Sequence, residues 1–141
     1  MNGLSRYQNT QVLTADKVRL VIMLYDGILR FNKLAQKAIA EADIKSRGVN
    51  LNRSLEIVGE LANSLNMEEG GEIAANLARL YDFCSMSLTE ANMTNDTSRI
   101  EAVNKVVSEL KSGWEAISIE GLKQPSEQAA PDASRSISCG A

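Results

Sequence analysis

Few residues of this chain have both the type and the spacing to do chemistry. Glu68, Glu69 and Glu72 flank Gly70-Gly71, and two thiols, Cys84 and Cys139, stand far apart. A calcium loop needs oxygen ligands at alternating positions, which the Glu68-Glu69-Gly70-Gly71-Glu72 run lacks. A phosphate loop needs spaced glycines followed by lysine, which Gly70-Gly71 also lacks. A nucleophilic Cys84 would need a base, and the chain contains no histidine. That count also excludes a Ser-His-Asp triad, a His-Glu-x-x-His zinc site, a phosphoryl-accepting histidine and the Glu-x-x-His pairs of di-iron bundles. Without CxxC spacing, the cysteines predict neither a disulfide framework nor a metal site. The expectation is a protein that is not an enzyme and takes no cofactor and no metal. The acidic run reads as a charged turn whose carboxylates favour the start of the next helix. Cys84 reads as a small buried hydrophobe.

The elements that must position these residues are helices. Both prolines, Pro125 and Pro131, lie near the end of the 141-residue chain, so nothing before them breaks a long helix. One helix is expected from Thr14 or Asp16, as N-cap, to about Ala42. Val18, Val21, Tyr25, Ile28, Asn32, Ala35 and Ile39 recur there at spacings of three and four, with one polar interruption at Asn32. A second covers about Ile44 to Leu65 on Leu51, Leu55, Val58, Ala62 and Leu65. Asn66 to Gly71 reads as a turn. A third helix runs from about Glu72 to Ala91 on Ile73, Leu77, Leu80, Cys84, Leu88 and Ala91. Ser98 and Glu101 fit a capping box for a fourth, which reaches about Ile117 on Ile100, Val103, Val107, Leu110 and Trp114. No segment alternates as a strand does. Short connections force neighbours antiparallel, so the predicted fold is all-α, an up-down-up-down four-helix bundle. Leu24-Tyr25-Asp26 recurs as Leu80-Tyr81-Asp82. In such a bundle the first and third helices run parallel, so the two tyrosines would lie at a similar height.

Composition narrows the class further. Hydrophobic residues make up 44% and the formal net charge is −3, values of one ordinary globular domain. The polar N-terminus lacks the apolar core of a signal peptide. The longest apolar run, Val18 to Tyr25, contains Arg19, so no membrane span is expected. Cys139 is misplaced for a prenylation box. The expected setting is the cytosol, with free thiols and no stable membrane association. Residues 1–53 carry nine basic and four acidic side chains, and residues 54–141 carry six and fourteen. Arg30, Lys33 and Lys37 share a helical face. Nucleic acid would need a larger basic patch and more stacking aromatics than the 4% present, so this face reads as solvated and no nucleic-acid partner is expected.

The first helix has more apolar surface than one core requires. Leu20, Leu24, Gly27, Phe31, Leu34 and Ala38 form a second stripe roughly 120° from the first, at about 100° per residue. Either the helix is central and covered by neighbours, or part of the surplus is a groove for another chain. Gly27, Gly59 and Gly113 lie inside helices, where each costs about 1 kcal/mol relative to alanine. They permit close approach of a backbone, inside the bundle or from a partner.

The sequence resembles the FliS-type flagellar export chaperones, which bind flagellin. Tyr7, the run Met23-Leu24-Tyr25-Asp26-Gly27 with Ile28, Arg30 and Phe31, and Gly70-Gly71-Glu72-Ile73-Ala74 leading to Leu80-Tyr81-Asp82 carry the resemblance. Glu90-Ala91-Asn92 and Trp114 continue it, over about residues 4 to 118. Asp16 stands where that family often has proline, and the segment after Lys123 matches no family motif. The resemblance implies a chaperone of the bacterial cytosol that works without ATP. Such a protein binds the disordered C-terminal segment of flagellin, prevents premature polymerisation and delivers flagellin to a component of the type III export gate. It also implies an N-terminal segment that covers a hydrophobic surface. Residues 1–122 are then the bundle domain, with 1–14 as the covering segment and Tyr7, Val12 and Leu13 as its cap. Residues 123–141, rich in Ser, Ala, Gly and Pro, are expected to be a flexible tail.

Helix-in-groove recognition links the apolar surplus to that role. Expected partner contacts are Tyr7, Leu24, Gly27, Phe31, Leu34, Leu51, Leu55 and Leu77. Tyr25, Asp26, Tyr81 and Trp114 are expected to be structural, with Asp26 paired to a basic residue across helices. The chain is expected to be a monomer or weak dimer. The competing expectation is a self-assembling bundle whose second stripe is buried in a homodimer.

Overall fold

The computed structural model describes residues 14–123, with side chains to residue 118. Four helices account for nearly all of them: α1 Ala15–Ala40, α2 Ile44–Asn63, α3 Met67–Thr94 and α4 Thr97–Lys123. The expected tail therefore lies outside the described residues, apart from Lys123, the last residue of α4. Tyr7, Val12 and Leu13 lie outside them as well.

Each helix starts on a side chain that accepts a hydrogen bond from an otherwise orphaned backbone N–H. Thr14 Oγ1 accepts from the Lys17 N–H at 3.1 Å. Asp43 Oδ1 accepts from Ser46 at 3.1 Å, and Asn66 Oδ1 from Glu69 at 3.0 Å. Asp96 Oδ1 accepts from the Ser98 N–H at 2.9 Å and from its hydroxyl at 2.6 Å. This corrects the expected capping box: Asp96, not Ser98, caps α4, and Glu101 turns instead to Gln36. The Ser98 hydrogen bonds, chiefly the hydroxyl's, hold the Asp96 carboxyl below its ordinary range.

Two helices end on a left-handed residue. Ala42, at φ 57°, ends α1 while Asp43 N–H reaches back to the Ala38 carbonyl and Ala42 N–H to that of Ile39. That pair of bonds is the Schellman arrangement, which favours glycine at this position. Asn95, at φ 60°, does the same for α3, with Asp96 N–H on the Ala91 carbonyl.

The chain forms two compact units. One contains Met23–Ser64 and Leu77–Lys111 and draws on all four helices. Its contacts define the topology. Asp26, Asn32 and Gln36 on α1 meet Lys111, Asn104 and Glu101 on α4. One set of numbers rises as the other falls, so the two helices are antiparallel. Ile57 and Arg53 of α2 lie against Gly27 and Phe31 of α1 in the same sense. With short turns between helices, this is the up-down-up-down four-helix bundle. Its interior is built from Tyr25, Ile28 and Ala35 of α1, Leu51, Val58 and Leu61 of α2, Tyr81, Cys84, Leu88 and Ala91 of α3, and Ile100, Val103 and Val107 of α4. The α2 face is rotated from the expected one: Ser54 and Leu61 are buried, whereas Leu55 and Ala62 sit at its edge.

The other unit contains residues 14–22, 65–76 and 112–123. Val18 and Ala74 are its buried apolar residues among those described. Ile73, expected in the α3 seam, is 66% exposed, because Ala74 takes the inward position. The expected turn ending at Gly71 is present as a break inside α3. Gly71 has φ 53° and ψ −128°, a combination open essentially to glycine alone. The preceding residues close one helical turn on Asn66, so α3 begins at Met67 rather than Glu72.

Candidate partner-docking surface

The surface follows from how α1 is used. Tyr25, Ile28, Asn32 and Ala35 point inward. The second apolar stripe of the same helix is only partly covered. Phe31 and Leu24 are half-buried, Leu34 is 41% exposed and Met23 beside them is 61% exposed. Ala38 departs from the expectation and is buried. An isolated exposed leucine or methionine needs no explanation. Met23, Leu24, Phe31 and Leu34 lie within three turns of one helix, and a contiguous apolar patch suits a second chain.

Gly27 lies in this stripe, is half-buried and also faces α2. A Cβ built there would meet Ile57 Cδ1 at 2.9 Å, so the missing side chain admits α2. Leu51 is the clearest correction. It is fully buried and belongs to the bundle interior, so no partner can reach it without unfolding α2. The 3/4 spacing that singled it out is the signature of a core position as much as of a groove. Leu55 and Leu77 are half-buried on α2 and α3. Leu24, Phe31 and Leu34 share the α1 stripe; Leu77 is not joined to them by any contact described.

Electrostatics frame the stripe. The Arg30 guanidinium carbon lies over the Phe31 ring at 4.4 Å from its centroid, and that of Arg53 on α2 approaches the same ring at 5.9 Å. Cation–π contact of this kind holds the ring and both cations together at the surface. Sequence reasoning missed Arg53 and the exposure of Met23; the positive balance of residues 1–53 hinted at a basic surface but not at this arginine. It also passed over Phe83, Met86 and Met93 of α3, which are 43%, 71% and 78% exposed. Their spacing of three and seven places them on one helical face.

Of the residues expected to be structural, Tyr25 and Tyr81 are buried and Asp26 is exposed. The Tyr25 and Tyr81 hydroxyls hydrogen-bond each other at 2.7 Å inside the bundle, so the repeated Leu-Tyr-Asp tripeptides meet. Burial, then the bond to Tyr25, raises the Tyr81 hydroxyl far above its ordinary value. Burial pushes the neighbouring Cys84 thiol up to about 11, so it stays protonated and inert near neutrality. Lys111 is the partner of Asp26, at 2.6 Å. Asn32, fully buried, donates to Asn104 Oδ1 at 2.9 Å. Its own Oδ1 and the Ser54 hydroxyl lack a hydrogen-bond partner in the interior. Trp114 is half-buried on α4.

Among the described residues, no group of three or more Cys, Asp or Glu side chains could hold a metal ion. No described helix is long and apolar enough to cross a membrane. A shallow depression on α4, lined by Ser98, Glu101, Asn104 and Lys105 among others, is open to solvent. The geometry is a helical bundle with a partly uncovered apolar stripe on α1 and two arginines beside its Phe31 ring.

A bundle of this kind defines a helical binding protein, and the comparisons give its family. The family model described as flagellar protein FliS matches residues 1–121. The chain is 37% identical over 122 residues to the flagellar secretion chaperone FliSB of Pseudomonas aeruginosa, covering 84% of this chain and 97% of that protein. It is 34% identical to the flagellar secretion chaperone FliS of Bacillus subtilis, covering 80% and 84%, and 34% identical to that of Salmonella typhimurium, covering 82% and 86%. A solved crystal structure of a bacterial flagellar chaperone superposes with a TM-score of 0.69 at 19% identity, over 82% of this chain and 94% of the other. The chain belongs to the FliS family of flagellar export chaperones.

Proposed function

We propose that this protein binds the disordered C-terminal segment of flagellin in the bacterial cytosol, prevents its premature polymerisation and delivers it to a component of the flagellar export gate. The observation that carries the proposal is the uncovered apolar stripe of α1, with Leu24, Phe31 and Leu34 as the principal contacts and Leu55 and Leu77 as further ones. Membership of a chaperone family supports the role, and burial alone suffices for it, without catalysis or cofactor. An amphipathic helix of the partner would lay its apolar face on this stripe. Ordering a flexible segment costs a few kcal/mol, so the interface must be large, on the order of 1,000 Å² or more. Residues 1–14 complete the proposal: Tyr7, Val12 and Leu13 would cover the stripe while it is empty and leave when flagellin binds. Such a cover keeps the free protein a monomer or weak dimer.

Light scattering on a sizing column tests this. The free chain should elute with a monomer mass at low concentration. Adding the C-terminal segment of flagellin from the same organism should give a 1:1 complex. An obligate dimer whose mass the segment does not change would contradict the proposal and favour a self-assembling bundle.

A further inference from the structure

We infer that Arg30 and Arg53 form a carboxylate clamp around Phe31, so that the surface selects an amphipathic helix carrying acidic side chains beside its apolar stripe. The inference rests on the reading of the α1 stripe as a docking surface and adds what that surface discriminates.

Among the described residues the two arginines stand apart from Arg19, Arg47 and Arg99, and they share their lack of an ion pair with some of the lysines. Arg19 pairs with Asp16, Arg99 with Glu90 and Asp96, and Lys111 with Asp26. Arg47 donates to Asn92 and Asn95. Arg30 and Arg53 are exposed and make no ion pair or hydrogen bond among the described residues; each approaches the Phe31 ring instead. The nearest acids in sequence do not serve them. Asp26, one turn before Arg30, is engaged by Lys111. Glu56, one turn beyond Arg53, forms no ion pair with it.

An exposed guanidinium held near a ring keeps N–H groups towards solvent, and its planar fork matches a carboxylate in bidentate fashion. A helix docked on Phe31 and Leu34 would exclude water from both edges, which strengthens their attraction to a carboxylate and makes an unmatched partner costly. Cations held on neighbouring helices, α1 and α2, and both close to the Phe31 ring can each grip a carboxylate of one docked helix. The positive balance of residues 1–53, against the negative balance of the remainder, favours the same sign of partner.

Three synthetic amphipathic peptides test the inference. They share one leucine stripe and differ only in the flanking residues, which are glutamate, glutamine or lysine. The glutamate peptide should bind at least tenfold more tightly than either twin at low salt, and that margin should shrink as salt rises. In Arg30→Gln/Arg53→Gln the preference should vanish while the melting temperature stays near wild type. In Arg30→Glu/Arg53→Glu the lysine peptide should become the preferred one, a reversal that damage to the fold cannot mimic. Equal binding of the three peptides, binding of none, or a glutamate preference that survives in the variants would overturn the clamp. The flagellin segment is titrated in parallel. If it fails to bind while the glutamate peptide binds, the flagellin reading falls and the clamp stands. If it binds equally well to wild type and to Arg30→Gln/Arg53→Gln, with the three peptides equal, the clamp alone falls.

Discussion

The Tyr25–Tyr81 hydroxyl pair is the residue-scale feature with the sharpest energetic consequences. Removing one hydroxyl leaves the other in a site built for two, which costs about 1–2 kcal/mol. Tyr25→Phe and Tyr81→Phe should each lower stability by that amount. The double variant should lose less than the two added together, and a double-mutant cycle from urea melts reads the coupling. Cys84 beside the pair gives an alkaline signature. Its thiol ionises near 9.0 in an ordinary setting and near 11 here. Between those values the unfolded chain releases a proton that the folded chain keeps. Stability from this group is therefore full below pH 9 and falls as pH rises towards 11, by up to about 1.4 kcal/mol per pH unit. Tyr81, raised in the same direction, adds its own loss above pH 10. Between pH 8 and pH 10, Cys84→Ala should lose measurably less stability than wild type in urea melts.

At the scale of the element, helix ends and breaks decide what is tolerated. Gly71→Ala forces a side chain into φ 53° and ψ −128° and should destabilise by about 1–3 kcal/mol. Ala42→Gly relieves a left-handed alanine at the end of α1 and should stabilise by about 0.5–1 kcal/mol. Thermal melts of the two variants should therefore move in opposite directions. The same elements show how much was legible in the sequence. The α1 seam was, including its polar interruption, because Val18, Tyr25, Ile28, Asn32 and Ala35 repeat with the helical period and are all buried. The Gly71 break was legible from the glycine pair. The α2 face was not, since Ser54 takes an inward place that polarity argues against. The cap of α4 was missed because Asp96, Thr97 and Ser98 can all cap, and only the backbone path decides among them. The docking stripe was half legible. Its apolar surplus stood in the sequence of α1, but Leu51 has the same spacing and lies in the core. No pattern within one helix could place Arg53 over a ring on another.

For the whole molecule, the proposed function follows from leaving an apolar stripe of the bundle partly uncovered. Tyr25, Ile28 and their partners satisfy the interior. Met23, Leu24, Phe31 and Leu34 stay partly exposed, and the proposal gives them to another chain, with Arg30 and Arg53 beside Phe31 and without an ion pair among the described residues. Family membership says that this is a chaperone of flagellar export, and the stripe says how such a protein would hold its client. Calorimetry of the chain with the C-terminal segment of flagellin from the same organism, at several temperatures, tests that claim most directly. The account predicts 1:1 binding at micromolar concentrations or below, with a negative heat-capacity change from apolar burial. It also predicts at least tenfold weaker binding by Phe31→Glu and by Leu24→Glu, with both variants still folded. Absence of binding heat at every temperature, or unchanged affinity in both variants, would contradict it.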